Sequence, residues 1–182
     1  PKYTQWVGGP EWTRSHHNLN SISSVVTSNG RLFYVVDEAT SSKISVEGKW
    51  SILARDAFSG VMLWRKRMKN WAKHTHRFRS GPPQLPRLLV ASGDHLYAPL
   101  AMNAAISHMD GASGEVLATY QHTGGAEEIV LIDDTLLTLV GSPVAAQAAG
   151  IATFSSNYRY PNEKAVVATD VSSGRQLWKW SE

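Results

Sequence analysis

Ala54-Arg55-Asp56-Ala57-Phe58-Ser59-Gly60-Val61-Met62-Leu63-Trp64 recurs as Ala168-Thr169-Asp170-Val171-Ser172-Ser173-Gly174-Arg175-Gln176-Leu177-Trp178, so both stretches read Ala-x-Asp-x-x-x-Gly-x-x-x-Trp. A third copy, His108-Met109-Asp110-Gly111-Ala112-Ser113-Gly114-Glu115-Val116-Leu117-Ala118, keeps the Asp and the Gly but loses the flanking Ala and Trp. One isolated Asp-x-x-x-Gly is an ordinary turn. Three copies, with the aspartates 54 and 60 residues apart, make an internal repeat at or above the length of a propeller blade. An Asp carboxylate accepts hydrogen bonds from the backbone N–H groups just after it, and Gly adopts positive φ at little cost. Between two apolar runs the pair describes a tight hairpin. The Trp four residues beyond the Gly offers a flat apolar surface and an indole N–H that seeks an acceptor.

Upstream of each copy lies a second hairpin. Ser24–Val36 is two strand-like runs around Asn29-Gly30, a strong short hairpin signal. Arg87–Ala98 repeats it around Gly93-Asp94, and Glu128–Val140 around Asp133-Asp134. Two hairpins make four antiparallel strands per repeat. The pattern predicts strands over 23–28, 31–37, 50–56 and 61–67, then 87–92, 95–101, 106–111 and 115–121, then 127–132, 135–141, 164–170 and 175–181. A short helical turn is expected within Pro143–Gly150.

Four-stranded repeats of this length, each with an aromatic docking residue, are read as blades of an all-β propeller. The copies resemble the tryptophan-docking repeats of pyrroloquinoline quinone (PQQ)-type propellers over residues 23–182. That family includes quinoprotein dehydrogenases and non-enzymatic outer-membrane assembly scaffolds. The resemblance implies a structural docking set of Ala54, Asp56, Gly60, Trp64, Asp110, Gly114, Ala168, Asp170, Gly174 and Trp178. In it each Trp docks on the turn of an adjacent blade, and Ala118 marks a weakened junction. Trp64 and Trp178 are then expected to be buried between sheets, and Trp71 to be exposed.

The blades fall at about 23–68, 87–121 and 127–182, preceded by a lead-in or capping segment, 1–22, that carries Trp6 and Trp12. Propellers close with about four to eight blades. Three blades form an incomplete ring, so the chain is expected to be part of a longer propeller or an arc completed by self-association. An arc left open would expose strand edges and docking surfaces.

Composition narrows the function. With 182 residues, 42% hydrophobic and 18% charged, the chain is globular rather than disordered. No cysteine means no disulfide, no Cys-based zinc site and no iron–sulfur cluster. No apolar run is long enough to cross a bilayer as a helix. The net charge is +3, yet seven of the 18 basic residues lie within Arg65–Arg79, which leaves the rest net acidic. In a meander of this kind the short turns share one face. The opposite face receives the connections 38–49, 68–86, 102–105, 122–126 and 142–163, and long loops on a rigid scaffold carry binding residues.

On that face Lys73, His74, His76, Arg77 and Arg79 are the candidate anion-binding loop, fit for an acidic protein, an anionic polymer or a carboxylate-rich cofactor. The plainer alternative is a solvated linker whose charges discourage edge pairing. No nucleic-acid module accompanies it, and nucleic acid is not an expected partner. His74 and His76, or His16 and His17, supply too few ligands for a metal site. Glu127-Glu128 at a blade entry could bind calcium or simply be solvated. No Gly-x-Ser-x-Gly elbow supports hydrolysis.

Two functions follow. One is a non-catalytic scaffold or binding platform with no cofactor. The other is a fragment of a PQQ- and calcium-dependent alcohol or sugar dehydrogenase, for which the resemblance implies the cofactors but no catalytic residue can be carried over. It also implies a periplasmic or otherwise extracytoplasmic setting.

Overall fold

The computed structural model describes residues 3–9, 22–40, 48–69, 85–101, 103–141 and 164–181 of the 182. These contain twelve strands: β1 (Ile22–Ser28), β2 (Arg31–Asp37), β3 (Trp50–Asp56), β4 (Met62–Arg67), β5 (Val90–Ser92), β6 (His95–Pro99), β7 (Ile106–Asp110), β8 (Val116–Tyr120), β9 (Ala126–Ile132), β10 (Thr135–Val140), β11 (Ala165–Asp170) and β12 (Gln176–Ser181). They form three antiparallel four-stranded sheets, ordered β1-β2-β3-β4, β5-β6-β7-β8 and β9-β10-β11-β12. Strand bounds follow the sequence pattern closely because turn chemistry sets them. Asn29 and Gly30 both take positive φ (46° and 72°), the geometry of a two-residue hairpin turn, and Ser28 pairs with Arg31 across it.

The fifth strand departs from the expected span. The sequence pattern predicts it over 87–92, but a 3-10 turn occupies Leu85–Arg87 and β5 begins only at Val90. Pro86 sits in that turn, and its fixed φ suits 3-10 geometry, so the chain is still turning at Arg87. The expected helical turn within Pro143–Gly150 lies outside the described residues.

Within each sheet the order runs from an inner to an outer strand. β1 contacts β5 and β5 contacts β9, so the first strands of successive sheets line one side. The fourth strands face outward, and all six residues of β12 are exposed. Between these extremes β2 is buried on both faces. Phe33 and Val35 join the main core with Ile52, Ala54, Leu96, Met109, Ile129 and Leu136, while Tyr34, Val36 and Leu53 form a second cluster on the opposite face. That is why Leu32–Val36 reads as one apolar run rather than an alternation. The buried Asp37 ends β2, and its Oδ1 accepts from the Ala39 and Lys49 N–H groups at 3.0 and 2.6 Å. The carboxylate thereby clamps the base of the 38–49 connection.

Candidate functional site

The three Asp-x-x-x-Gly turns are near copies. Asp56 Oδ1 accepts from the Phe58 and Ser59 N–H groups at 3.1 and 2.6 Å and from Ser59 Oγ at 2.8 Å. Asp110 Oδ1 does the same with Ala112 N, Ser113 N and Ser113 Oγ at 3.0, 2.7 and 2.8 Å. Asp170 Oδ1 accepts from Ser173 N at 2.7 Å and Ser173 Oγ at 2.6 Å. The serine hydroxyl then accepts in turn from the N–H two residues on, at Val61, Glu115 and Arg175. These bonds favour the ionised carboxylates. The Ser59 N–H leads at Asp56, and the serine hydroxyl leads at Asp110 and Asp170, so all three carboxyls are held below the ordinary Asp range. Sequence reading by Asp and Gly alone overlooked Ser59, Ser113 and Ser173, although they share one position of the repeat.

Each turn receives an aromatic ring from the segment or sheet before it. Trp64 Nε1 donates to the Gly111 carbonyl at 2.9 Å, and its ring lies so close to Gly114 that a Cβ there would meet it at 2.7 Å. The same contact is made at the first turn by Trp6, whose Nε1 donates to the Ala57 carbonyl at 3.0 Å over Gly60. At the third turn Tyr120 Oη donates to the Val171 carbonyl at 2.8 Å, with its ring against Gly174. The acceptor is in every case the residue after the Asp. Neither Trp6 nor Tyr120 belongs to the sequence motif. A signal was nevertheless there: Trp6, Trp64, Tyr120 and Trp178 are 58, 56 and 58 residues apart.

Ala54 and Ala168 are fully buried and pair across strands with Trp64 and Trp178. Trp64 is partly buried against the core, 6.0 Å from Phe33 between ring centroids. Trp178, on the outward strand β12, is 48% exposed, and Trp180 beside it is 55% exposed. In the second sheet His108 holds the place of Ala54, Ala118 that of Trp64 and Tyr97 that of Phe33. The bulk has moved from β8 to β7. Tyr120, two residues beyond Ala118 and on the same strand face, supplies the ring that reaches the next turn.

The junction between the second and third sheets is therefore lined by titratable groups. His95 Nδ1 and His108 Nε2 are 2.9 Å apart, His108 Nδ1 is 3.3 Å from Tyr120 Oη, and the His108 ring stacks on Tyr97 at 4.8 Å. Burial, then His95, lowers the pKa of His108. Burial raises those of Tyr97 and Tyr120. His122 Nε2 lies 2.7 Å from Thr169 Oγ1 across the same junction, and burial lowers its pKa too. The first junction is held differently. Arg31 Nη1 and Asn29 Nδ2 donate to Asp94 Oδ1 at 2.6 and 2.7 Å, and Ser28 Oγ donates to the Gly93 carbonyl at 2.9 Å.

Lys73, His74, His76, Arg77, Arg79 and Trp71 lie outside the described residues, as do His16 and His17. Glu127 and Glu128 are not a shared calcium pair: Glu127 is bonded to Lys164 at 2.7 Å and Glu128 to Arg87 at 3.2 Å. Among the described residues no three His, Asp or Glu side chains converge on a metal position. Oδ1 of each turn carboxylate is engaged by its own backbone and serine. A cleft of about 200 Å³ on the first sheet is lined by Tyr34, Glu38, Arg55 and Arg65 among others. Its cations are already engaged, Arg55 with Tyr34 Oη and the Gly60 carbonyl, Arg65 with Glu38. No helix among the described residues is long and apolar enough to cross a membrane.

No protein-family model and no curated protein sequence matches the chain. Solved structures do. A europium-containing methanol dehydrogenase is 13% identical over 97% of this chain and 26% of its own, with a TM-score of 0.55. The quinohemoprotein alcohol dehydrogenase of Comamonas testosteroni is 13% identical over 93% of this chain and 21% of its own, with a TM-score of 0.54. The acylaminoacyl peptidase of Pyrococcus horikoshii is 11% identical over 89% of this chain and 25% of its own, with a TM-score of 0.56. The chain thus spans about a quarter of the length of these structures. Dehydrogenases and a peptidase match it equally well, so the likeness concerns architecture and not activity. The three sheets are four-stranded blades of a β-propeller that do not close into a ring.

Proposed function

We propose that this chain is a non-catalytic β-propeller module, a rigid platform for contacts with other macromolecules. The observation that supports it most is the threefold repetition of one contact, an aromatic O–H or N–H to the carbonyl after the turn Asp. Polar side chains that could have been aimed into a cleft are spent on joining blades and tightening turns. In this reading 1–22 caps the first blade through Trp6, and blades 23–68, 87–121 and 127–182 form the platform. Trp178 and Trp180, exposed on the last blade, offer a surface for further blades or a second copy of the chain. The loop face, with Lys73, His74, His76, Arg77 and Arg79, takes an acidic protein or polymer. An extracytoplasmic setting follows from the family resemblance.

Calorimetric titration with heparin tests the platform reading. The wild type is expected to bind with an affinity that falls as salt rises. A variant with Lys73, Arg77 and Arg79 changed to Ala should lose that binding, and an unchanged isotherm overturns the loop assignment. The rival reading is a piece of a PQQ- and calcium-dependent alcohol or sugar dehydrogenase. It draws support from two neighbours described as methanol and alcohol dehydrogenases, and none from the described residues, among which no three His, Asp or Glu side chains converge. Dye reduction with alcohols or sugars after reconstitution with PQQ and calcium would reverse the preference.

A further inference from the structure

The two blade junctions differ in one respect that the platform reading does not use. No histidine is among the described polar contacts that cross the first, whereas across the second His122 meets Thr169, and Tyr120, which reaches Val171, is tied within its own blade to His108 and through it to His95. At neutral pH one assignment of hydrogens satisfies the whole chain of contacts. Tyr120 Oη–H donates to the Val171 carbonyl, so its oxygen accepts from His108 Nδ1–H, and His108 Nε2 accepts from His95 Nδ1–H. Every ring nitrogen inside the chain then has one role. A proton added to His108 must go on Nε2, where it meets the His95 hydrogen across 2.9 Å. His95 can accommodate one proton by changing tautomer. A second leaves two N–H groups pointing at each other and two cations in contact.

We propose that the junction between the second and third blades is an acid-labile seam, latched by His95, His108 and Tyr120 at neutral pH and released when both imidazoles are protonated. Charged His108 gains by moving into water, and it cannot do so without leaving the Tyr97 ring and Tyr120. Tyr120 is the ring seated on Gly174 and Val171, so its displacement uncouples the third blade. The groups that face His108 are His95 and Tyr97 from β6 and Tyr120 from β8. From the third blade come Asp134, which acts on Tyr97, and Asp170, which acts on Tyr120. The two aspartates temper the effect through their charge on the tyrosines, whereas the His95 ring lies against His108 directly. His122, on Thr169, adds a second imidazole to the same seam.

The absence of cysteine makes introduced cysteines unique labelling sites. Spin labels at Ala112→Cys and Ser172→Cys, both exposed turn positions, report the second junction, and labels at Phe58→Cys and Ala112→Cys report the first. Between pH 7.5 and 5.0 the 112/172 distance distribution should lengthen and broaden reversibly, while the 58/112 distribution stays put. No change at either junction, or equal change at both, overturns the proposal. The double variant His108→Ala with Ala118→Trp transplants the first junction's side-chain pair into the second blade. It should lose the pH response, and retention of the full response would also overturn the seam. Should that variant not fold, NMR titration of His108 in the wild-type chain decides. The imidazole is expected to titrate below about 6.5, the ordinary histidine value. Titration at or above that value overturns the proposal.

Discussion

Between the first and second blades, an indole on β4 covers a glycine and donates one hydrogen bond, and an arginine–aspartate contact at the neighbouring turn adds charge. Between the second and third, a phenol from one pleat further along β8 does the covering, and the space the indole would fill is occupied by an imidazole on β7. The same turn therefore accepts two unlike partners. What the turn demands is a flat ring over the Gly and one donor for the carbonyl after the Asp. What it leaves free is the rest of the junction, and there the chemistry diverges: apolar around Trp64, titratable around Tyr120.

The largest expected effect breaks the first junction. Trp64→Ala should cost about 3 kcal/mol in urea denaturation, the lower end for a large aromatic because the ring is only partly buried. Trp178→Ala, at 48% exposure, should cost under about 1 kcal/mol. Equal costs would mean that Trp64 is not docked. Next comes the glycine beneath the ring. Gly114→Ala combines a φ of 73° with a Cβ 2.7 Å from the indole and should cost about 2–3 kcal/mol. Gly93→Ala has positive φ but nothing within 4 Å and should cost only about 1 kcal/mol, the strain alone. If the two substitutions were equivalent, ring contact would contribute nothing.

Smaller effects sharpen the second junction. Tyr120→Phe keeps the ring on Gly174 and removes the hydroxyl's bond to Val171 together with its longer contact to His108, so it should cost about 1–1.5 kcal/mol and leave the distance between turns intact. Stability against pH provides a further contrast. His108 and His122 have folded-state pKa values below their unfolded ones, so the unfolded chain binds more protons and their contribution, complete above about pH 6.5, declines as pH falls through the folded values. The turn aspartates follow the same sign lower down: their contribution is present above 3.8 and disappears only as pH drops through their depressed folded values. Two separate acid phases are expected in a denaturation-midpoint profile, and one smooth phase would contradict the assignment. The smallest change is Ser113→Ala, which should move the Asp110 carboxyl up toward its ordinary range in an NMR titration, with Asp56 unmoved.

Twelve strands, their grouping in fours and nearly all their bounds were legible in the sequence, because strand-length apolar runs and turn chemistry act within a few residues of one another. The Asp, Ser and Gly of each turn belong to the same local category, and the serines were readable although only the Asp and Gly were read. Even the late start of β5 had its cause in plain view at Pro86. The partner of each turn is another matter. Trp6 lies 51 residues from Ala57, Trp64 47 from Gly111 and Tyr120 51 from Val171, and no local rule says that a phenol two places past the motif can stand in for an indole. Likewise the His95–His108 contact needs the β6–β7 register, the His108–Tyr120 contact needs the β7–β8 register, and the seating of Tyr120 on Val171 needs the packing of one sheet on the next. The repeat was thus a property of the sequence, written in short-range hydrogen bonds and in apolar runs between turns. The unlike character of the two junctions arose only when sheets met, because ring volume and donor position are matched across space and not along the chain.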